Sequence, residues 1–534
     1  MAVYAYGKVA VYAEQAGTLR LARSARVFVT DAVTHAPVNV TQGAATRPYI
    51  DTDGTGLASF TAEHPGPLRM TAGAVFVDVY SDELPGIALD AVAAAEAAQA
   101  AAADAAAAAY GPADATVAAL VGSTSATRTA LDDRYAQARG LGLNVLEFGA
   151  VGDGVHDDTT AIQAALDAAG TEGPFGGGSV YLPVGTYKVS ATLTVPQEVT
   201  VLGQSYNQTI IKTSSATGHV IVLHSACVVR DLLIQASVTR TAGSHISIEG
   251  SQVVVDHCSF MQYSVAISVG TVGTKAALTI ISRCVFREPV VGAGFGGIHL
   301  VNFASPSISD VVMTGNDAGT QTDFGIRIWA GDTAFVGPNV NVVAHGTGLL
   351  IDPIGVSAFA IYVTQAMFDT PGPTTSNGFP SGMDINPGAA GFVYDLTCTN
   401  TWFGNSRTAH GAAIVSGSGV VDGVQLTGCE FVGNSYAGVY TNGVDAKNWS
   451  VTGGLAAGNG NVAVDAQNST SRFSITGLRA GPTGVHGPNG VGVRVGASAS
   501  DYYTITGCNL ALNTGSGLSD SGTGAHKVVA NNLT

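Results

Sequence analysis

Four short blocks near the middle of the chain, GIHL, GIRIW, GLLID and GMDI, carry its most reactive combination of side chains. If each block is an extended strand, alternate residues face opposite sides. Ile298, Ile326, Ile328, Leu349, Ile351, Met383 and Ile385 then share one side, and His299, Arg327, Trp329, Asp352 and Asp384 the other. Two carboxylates on one face are what glycoside hydrolysis requires: one proton donor and one nucleophile or water activator. Asp352 and Asp384 are therefore the candidate catalytic pair. Trp329 offers a flat apolar platform suited to a sugar ring. Arg327 can grip an acidic group bidentately, with His299 beside it as a further binding residue. Strands one or two positions apart in a sheet separate such groups by ~5 or ~10 Å, which brackets both hydrolytic geometries. The bland reading of the same residues is a solvated sheet face. A second candidate is Trp402 for binding with Glu430 as the runner-up catalytic carboxylate, 28 residues apart.

Positioning these residues requires an element that repeats. Asp231, His257, Arg283 and Asp310 recur at intervals of 26, 26 and 27 residues, each inside a short apolar block such as VVRDLLI. A second column begins the strand-like blocks, at Gly297, Gly325, Gly348, Gly382, Gly438, Gly492 and Gly517. The apolar residues alternate at period two and show no helical spacing. A period this long marks a solenoid, in which each repeat buries its apolar face only against its neighbours. The chain therefore reads as mainly β, a right-handed, single-stranded parallel β-helix. The interval from Gly348 to Gly382 is 34, and the surplus DTPGPTTSNGFPSG reads as a loop able to wall a groove.

Other polar repeats read as structure. The signs of the Asp231, His257, Arg283 and Asp310 column alternate, so these side chains can pair between coils. Asn405, Asn434, Asn459 and Asn513 fall at turns and read as a stacked amide ladder. Asp153, Asp157 and Asp158 lack the ligand alternation of a calcium loop, so they read as turn and helix-cap residues, and no metal or cofactor is expected.

The chain has 534 residues, 12% of them charged, and a net charge of −16. That balance argues against nucleic acid, whose binding rests on neutralising phosphates. Six cysteines show no close spacing; Cys258 and Cys284 sit at equivalent positions one coil apart and read as buried, reduced thiols. The start, MAVYAYGKVAVYAEQ, lacks the pattern of a secretion signal. The alanine-rich stretch 91–109 carries Glu96 and Asp104, and no segment is suited to membrane insertion.

Residues 1–87 read as a small β domain with an attachment role. Residues 88–140 read as an alanine-rich helical neck, and because such a helix is marginal alone, a trimeric one. Residues 141–534 form the β-helix. It opens with NVLEFGAVGDGVHDDTTAIQAALDAAG and GGGSVYLPVGTYKVS. A helix over 158–169, apolar at Ile162, Ala165, Leu166 and Ala169, would cover the open first coil.

This opening resembles the pectate-lyase-like β-helix of phage tailspikes and tail-fibre depolymerases, with Glu147 where the pattern has Asp. The order of β domain, alanine-rich coil, neck and β-helix is similar to that of actinobacteriophage minor tail proteins. The resemblance implies a homotrimer in a virion tail, attached to the tail or baseplate through residues 1–87. It also implies binding, and depolymerisation, of a host surface polysaccharide. An endoglycosidase is expected ahead of a lyase; the alternative is a non-enzymatic tail fibre or adhesin of the same fold. Asn variants of Asp352 and Asp384 are expected to abolish cleavage with little loss of stability, since outward residues carry little of a core.

Overall fold

The computed structural model describes residues 142–534 apart from 172–176, 316–320, 374–379, 469 and 498–499, and, before them, residues 38 and 39 and ten strands between Tyr4 and Val79. The expected neck, 88–140, lies outside the described residues. The chain divides into two units, Met1–Arg128 and Thr129–Thr534. In the first, antiparallel pairing builds two four-stranded sheets and a separate hairpin of Tyr12–Gln15 with Thr18–Leu21.

The second unit is a right-handed parallel β-helix. Its coils feed three parallel sheets: a first of 18 strands, a second of 13 and a third of 13. The rest of each coil supplies the long connection that parallel pairing demands. The third sheet shows how the sequence dictates the core. Ile298, Ile326, Leu349, Met383 and Ala412 stand in register on successive strands, and all are fully buried. Burying a side chain of the Ile or Leu class contributes about 1.5–3 kcal/mol, and here the partner surface belongs to the next coil.

The glycine column has a packing reason. A Cβ on Gly348 would lie 2.8 Å from the Phe368 side chain and 2.5 Å from the Gly382 carbonyl oxygen. One on Gly382 would meet the Gly411 carbonyl oxygen at 2.6 Å and Phe403 at 3.2 Å. The bare backbone makes room for a stack of Phe368, Phe403 and Phe431, whose ring centroids are 5.6 Å apart at each step.

Asp231, His257, Arg283 and Asp310 prove to be hinge residues. Each has positive φ (62°, 50°, 52° and 53°) where the chain turns from the first sheet into the second. Asp and His are tolerated in this region better than most residues. The expected pairing along the column holds only in part. His257 Nδ1 lies 2.6 Å from Asp231 Oδ1, but Arg283 turns to Asp256, donating from Nε at 2.8 Å, and Asp310 accepts from Asn339 Nδ2 at 2.8 Å. Asp256, at the end of the strand beside it, offers Arg283 a bidentate partner, a geometry a neighbouring imidazole lacks.

The asparagine ladder is real but differently composed. Asn434 donates to Asn459, Asn459 to Asn489 and Asn489 to Asn513, at 2.9, 2.8 and 2.9 Å. Asn489 was missed by the spacing, and Asn405 stands one residue off the ladder. Ser406 occupies the rung, its N–H donating to Asn434 Oδ1 at 3.0 Å, while Asn405 donates to Asp369. All six cysteines are buried and unpaired, with Cys258 and Cys284 in equivalent places.

Helix α1, Thr159–Gly170, covers the first coil and buries Ile162, Ala165, Leu166 and Ala169. Asp158 precedes the helix but makes no side-chain cap bond. It accepts instead from the N–H groups of Val151 and Gly152, at 2.6 and 3.2 Å, and so pins the turn of the GAVGDG phrase. Asp157 accepts from Thr159 N–H at 3.1 Å, and Asp153 from the N–H groups of Val155 and His156, both at 2.8 Å. The two backbone bonds hold the Asp153 carboxyl below its usual range, while hydrogen bonds from the Ser190 and then the Thr159 side chain, with the Thr159 N–H, do the same for Asp157. Among the described residues no group of His, Cys, Asp and Glu is placed to hold a metal ion.

Candidate functional site

The third sheet brings together the five residues of the first candidate. His299, Arg327, Leu350 and Asp384 stand in register on four successive strands, with Trp329 and Asp352 just beyond two of the strand ends. Arg327 donates to Asp352 through Nε at 2.8 Å and Nη2 at 2.7 Å, and its guanidinium carbon lies 5.2 Å from the centre of the Trp329 ring. His299 stacks on Trp329 at 6.0 Å with the rings 14° from parallel.

The alternation therefore gave the direction of these side chains, but their solvation differs from expectation. Asp384 is 0% exposed. Arg327 and Asp352 are only 18% and 21% exposed at their side chains. Burial pushes the His299 imidazole down to about 3, with the Arg327 cation adding to the effect. Burial also raises the Asp352 carboxyl, against the opposing pull of Arg327. Period two fixes which way a side chain points; the coils on either side fix whether water reaches it. Asp384 lies between Leu350 and Ala413, and Asp352 is clasped by Arg327. The expectation of two solvated carboxylates on this face is corrected accordingly.

The second candidate lies on the second sheet and opens onto a groove of about 690 Å³. Its floor is the outward column Val312, Asn341, Met367, Trp402 and Glu430, in register on consecutive strands. Asn339, Gln365 and Asn400 form one rim, at φ of 58°, 48° and 48°. These are later members of the hinge column that contains Asp310. Glu430 is exposed and Trp402 half-buried. Gly404 leaves space for the indole, since a Cβ there would come within 2.3 Å of Trp402 Nε1. Among the described lining residues Glu430 is the one carboxylate.

A third cluster was not singled out from the sequence. Further along the third sheet the outward column continues through Ala413, Tyr440, Asp465 and Arg494. Tyr440 stacks face to face on His410 at 4.4 Å, and Tyr436 stands edge-on to His410 at 5.2 Å. Arg494 donates through Nε and Nη2 to Asp465 at 2.8 and 2.5 Å, and through Nη2 to the Tyr436 hydroxyl at 3.0 Å. Tyr436 and Tyr440 line two cavities, of about 270 and 480 Å³. The signal was present in the sequence: GVY and GVRV belong to the same glycine-led column as GIHL and GIRIW, and their outward residues are Tyr440 and Arg494. His410 and Tyr436 enter from connections between strands, which carry no such periodicity.

A parallel β-helix with aromatic, amide and carboxylate side chains along its outer faces defines the class of this protein. Over residues 142–493 the chain matches the Rhamnogalacturonase A/epimerase, pectate lyase-like family, and it belongs to that family. A stretch of 89 residues is 47% identical to mannuronan C5-epimerase AlgE1 of Azotobacter vinelandii, covering 14% of this chain and 6% of that protein. The chain thus spans only a small fraction of the curated relatives it matches. Among solved structures, the A-module of mannuronan C-5 epimerase AlgE6 of Azotobacter vinelandii aligns with 73% of this chain and 98% of its own, at 18% identity and a TM-score of 0.45. Tailspike protein 3 of bacteriophage CBA120 aligns with 94% of this chain and 76% of its own, at 13% identity and a TM-score of 0.40.

Proposed function

We propose that this chain binds a host surface polysaccharide along the outer faces of its β-helix, as the receptor-binding protein of a phage tail. The observation that carries the reading is the groove of about 690 Å³ on the second sheet. It crosses several coils, as a linear polymer would, with an indole and a thioether on its floor and amides along its rim. Apolar ring faces beside hydrogen-bonding groups match the two surfaces of a sugar. Family membership supports a polysaccharide as the ligand. Assembly as a homotrimer through 88–140 and attachment through 1–87 belong to the same reading, as does a place in the virion tail.

Cleavage of the bound glycan, by hydrolysis, is the fuller form of this proposal. Glu430 is then the leading carboxylate, because it is exposed in the groove. Asp352 and Asp384 remain the alternative pair. A specific observation favours the second reading, a non-enzymatic adhesin: among its described lining residues the groove carries one carboxylate, whereas hydrolysis uses two. Incubation of the full chain with purified host-envelope glycan separates the two. New reducing ends support hydrolysis, and absorbance from a new double bond supports a lyase. Binding without either product supports the adhesin, and no binding at all refutes both.

A further inference from the structure

We propose that the His410, Tyr436 and Tyr440 cluster on the third sheet is a second saccharide site, selective for uncharged sugar units. The proposal rests on the polysaccharide reading above and adds to it a site and a ligand class. The two tyrosines form the wall shared by cavities of about 270 and 480 Å³, so one aromatic partition serves two adjoining recesses. Aromatic faces supply the apolar contact that the C–H side of a sugar ring requires.

Selectivity follows from the charge count. Among the described residues lining either cavity, Arg494 is the one Lys, Arg, Asp or Glu. Its fork is already closed on Asp465, whose side chain is 0% exposed, so the two charges cancel. Arg494 therefore holds the Tyr436 hydroxyl in place rather than offering a free cation to a ligand. The remaining polar lining is uncharged, with Gln467 and Asn468 amides and Ser519 and Ser521 hydroxyls. Burial keeps the His410 ring neutral, its pKa pushed down to about 4. Among the described residues of this outward column the only other arginine, Arg327, is cancelled in the same way by Asp352. A net charge of −16 also repels a polyanion at long range.

The test is native electrophoresis of the full chain in gels containing dextran, mannan, galactan or arabinan, and in parallel polygalacturonate, alginate or hyaluronan. Retardation by at least one neutral polymer is expected, insensitive to added salt. Tyr440→Ala and Tyr436→Ala should weaken it at least tenfold with unchanged circular dichroism. Retardation by the acidic polymers alone, or by none, overturns the proposal. Neutral binding that survives Tyr440→Ala but is lost in Trp402→Ala also overturns it, while leaving the groove reading intact. Loss of host-glycan binding in neither variant counts against the groove reading itself.

Discussion

At the scale of single residues, exposure decides which carboxylate is open to a ligand. Glu430→Gln should abolish any cleavage of host glycan while sparing binding, because the amide keeps the shape but cannot exchange a proton. Trp402→Ala should weaken binding about tenfold or more, read by titration calorimetry; full activity in both variants would remove the groove from consideration. Asp352→Asn carries a different expectation from the one the sequence suggested. It leaves the Arg327 cation, 18% exposed, without its counter-charge, so a loss of about 1–3 kcal/mol in unfolding free energy is expected. Buried histidines set the pH dependence. His245 and His299 titrate at about 3, and His345 and His410 at about 4, because burial disfavours the charged ring. Their unfolded value is 6.5 for His345, so between 6.5 and about 4 the unfolded chain binds more protons than the folded one. The stability they contribute is therefore complete above that unfolded value and lost as pH falls through this window. Denaturation midpoints should drop between about pH 7 and pH 5, with a shallower slope in His345→Gln. A flat profile would show that these rings are not held neutral.

Single elements are specified by contacts between coils. The glycine column exists because the phenylalanine stack fills the space a side chain would need. Gly382→Ala places a methyl 2.6 Å from a carbonyl oxygen of the next coil and should cost about 1–3 kcal/mol, measurable by urea denaturation. Unchanged stability would mean that the coil spacing yields more easily than a packed core should. The apolar face of α1 was legible because 3.6-residue periodicity and burial describe one surface. The asparagine ladder was only partly legible. Its rungs are set by stacking in space, and coils of unequal length shift the rung by a residue, which is how Asn489 was passed over and Asn405 included.

At the scale of the whole molecule, the β-helix is quasi-one-dimensional, each coil contacting only its neighbours. The intact chain is expected to run in light scattering at three times its 53.7 kDa mass, and deletion of 88–140 should return it to a monomer with its β signal intact. A monomeric full-length chain would refute the trimer. Along the β-helix the candidate surfaces lie on different sheets, the groove on the second and the aromatic cluster on the third. A long glycan could engage one without the other, so variants at Trp402 and Tyr440 should combine additively in binding free energy.

The sequence alone determined the β-helix, its capping helix and the direction of the side chains in the GIHL, GIRIW, GLLID and GMDI strands of the third sheet. Each of these follows from a local period, 2.0 for strands, 3.6 for the helix and about 26 for the coil, and a local period survives in one dimension. It also brought Trp402 and Glu430 into register. Only the tertiary structure decided which outward residues meet water. It closed Arg327 on Asp352, buried Asp384 between its neighbours, opened a groove over Glu430, and carried His410 and Tyr436 from two connections to the face of Tyr440. Solvent access depends on what the coils above and below present at the same position, and on loops whose lengths obey no period.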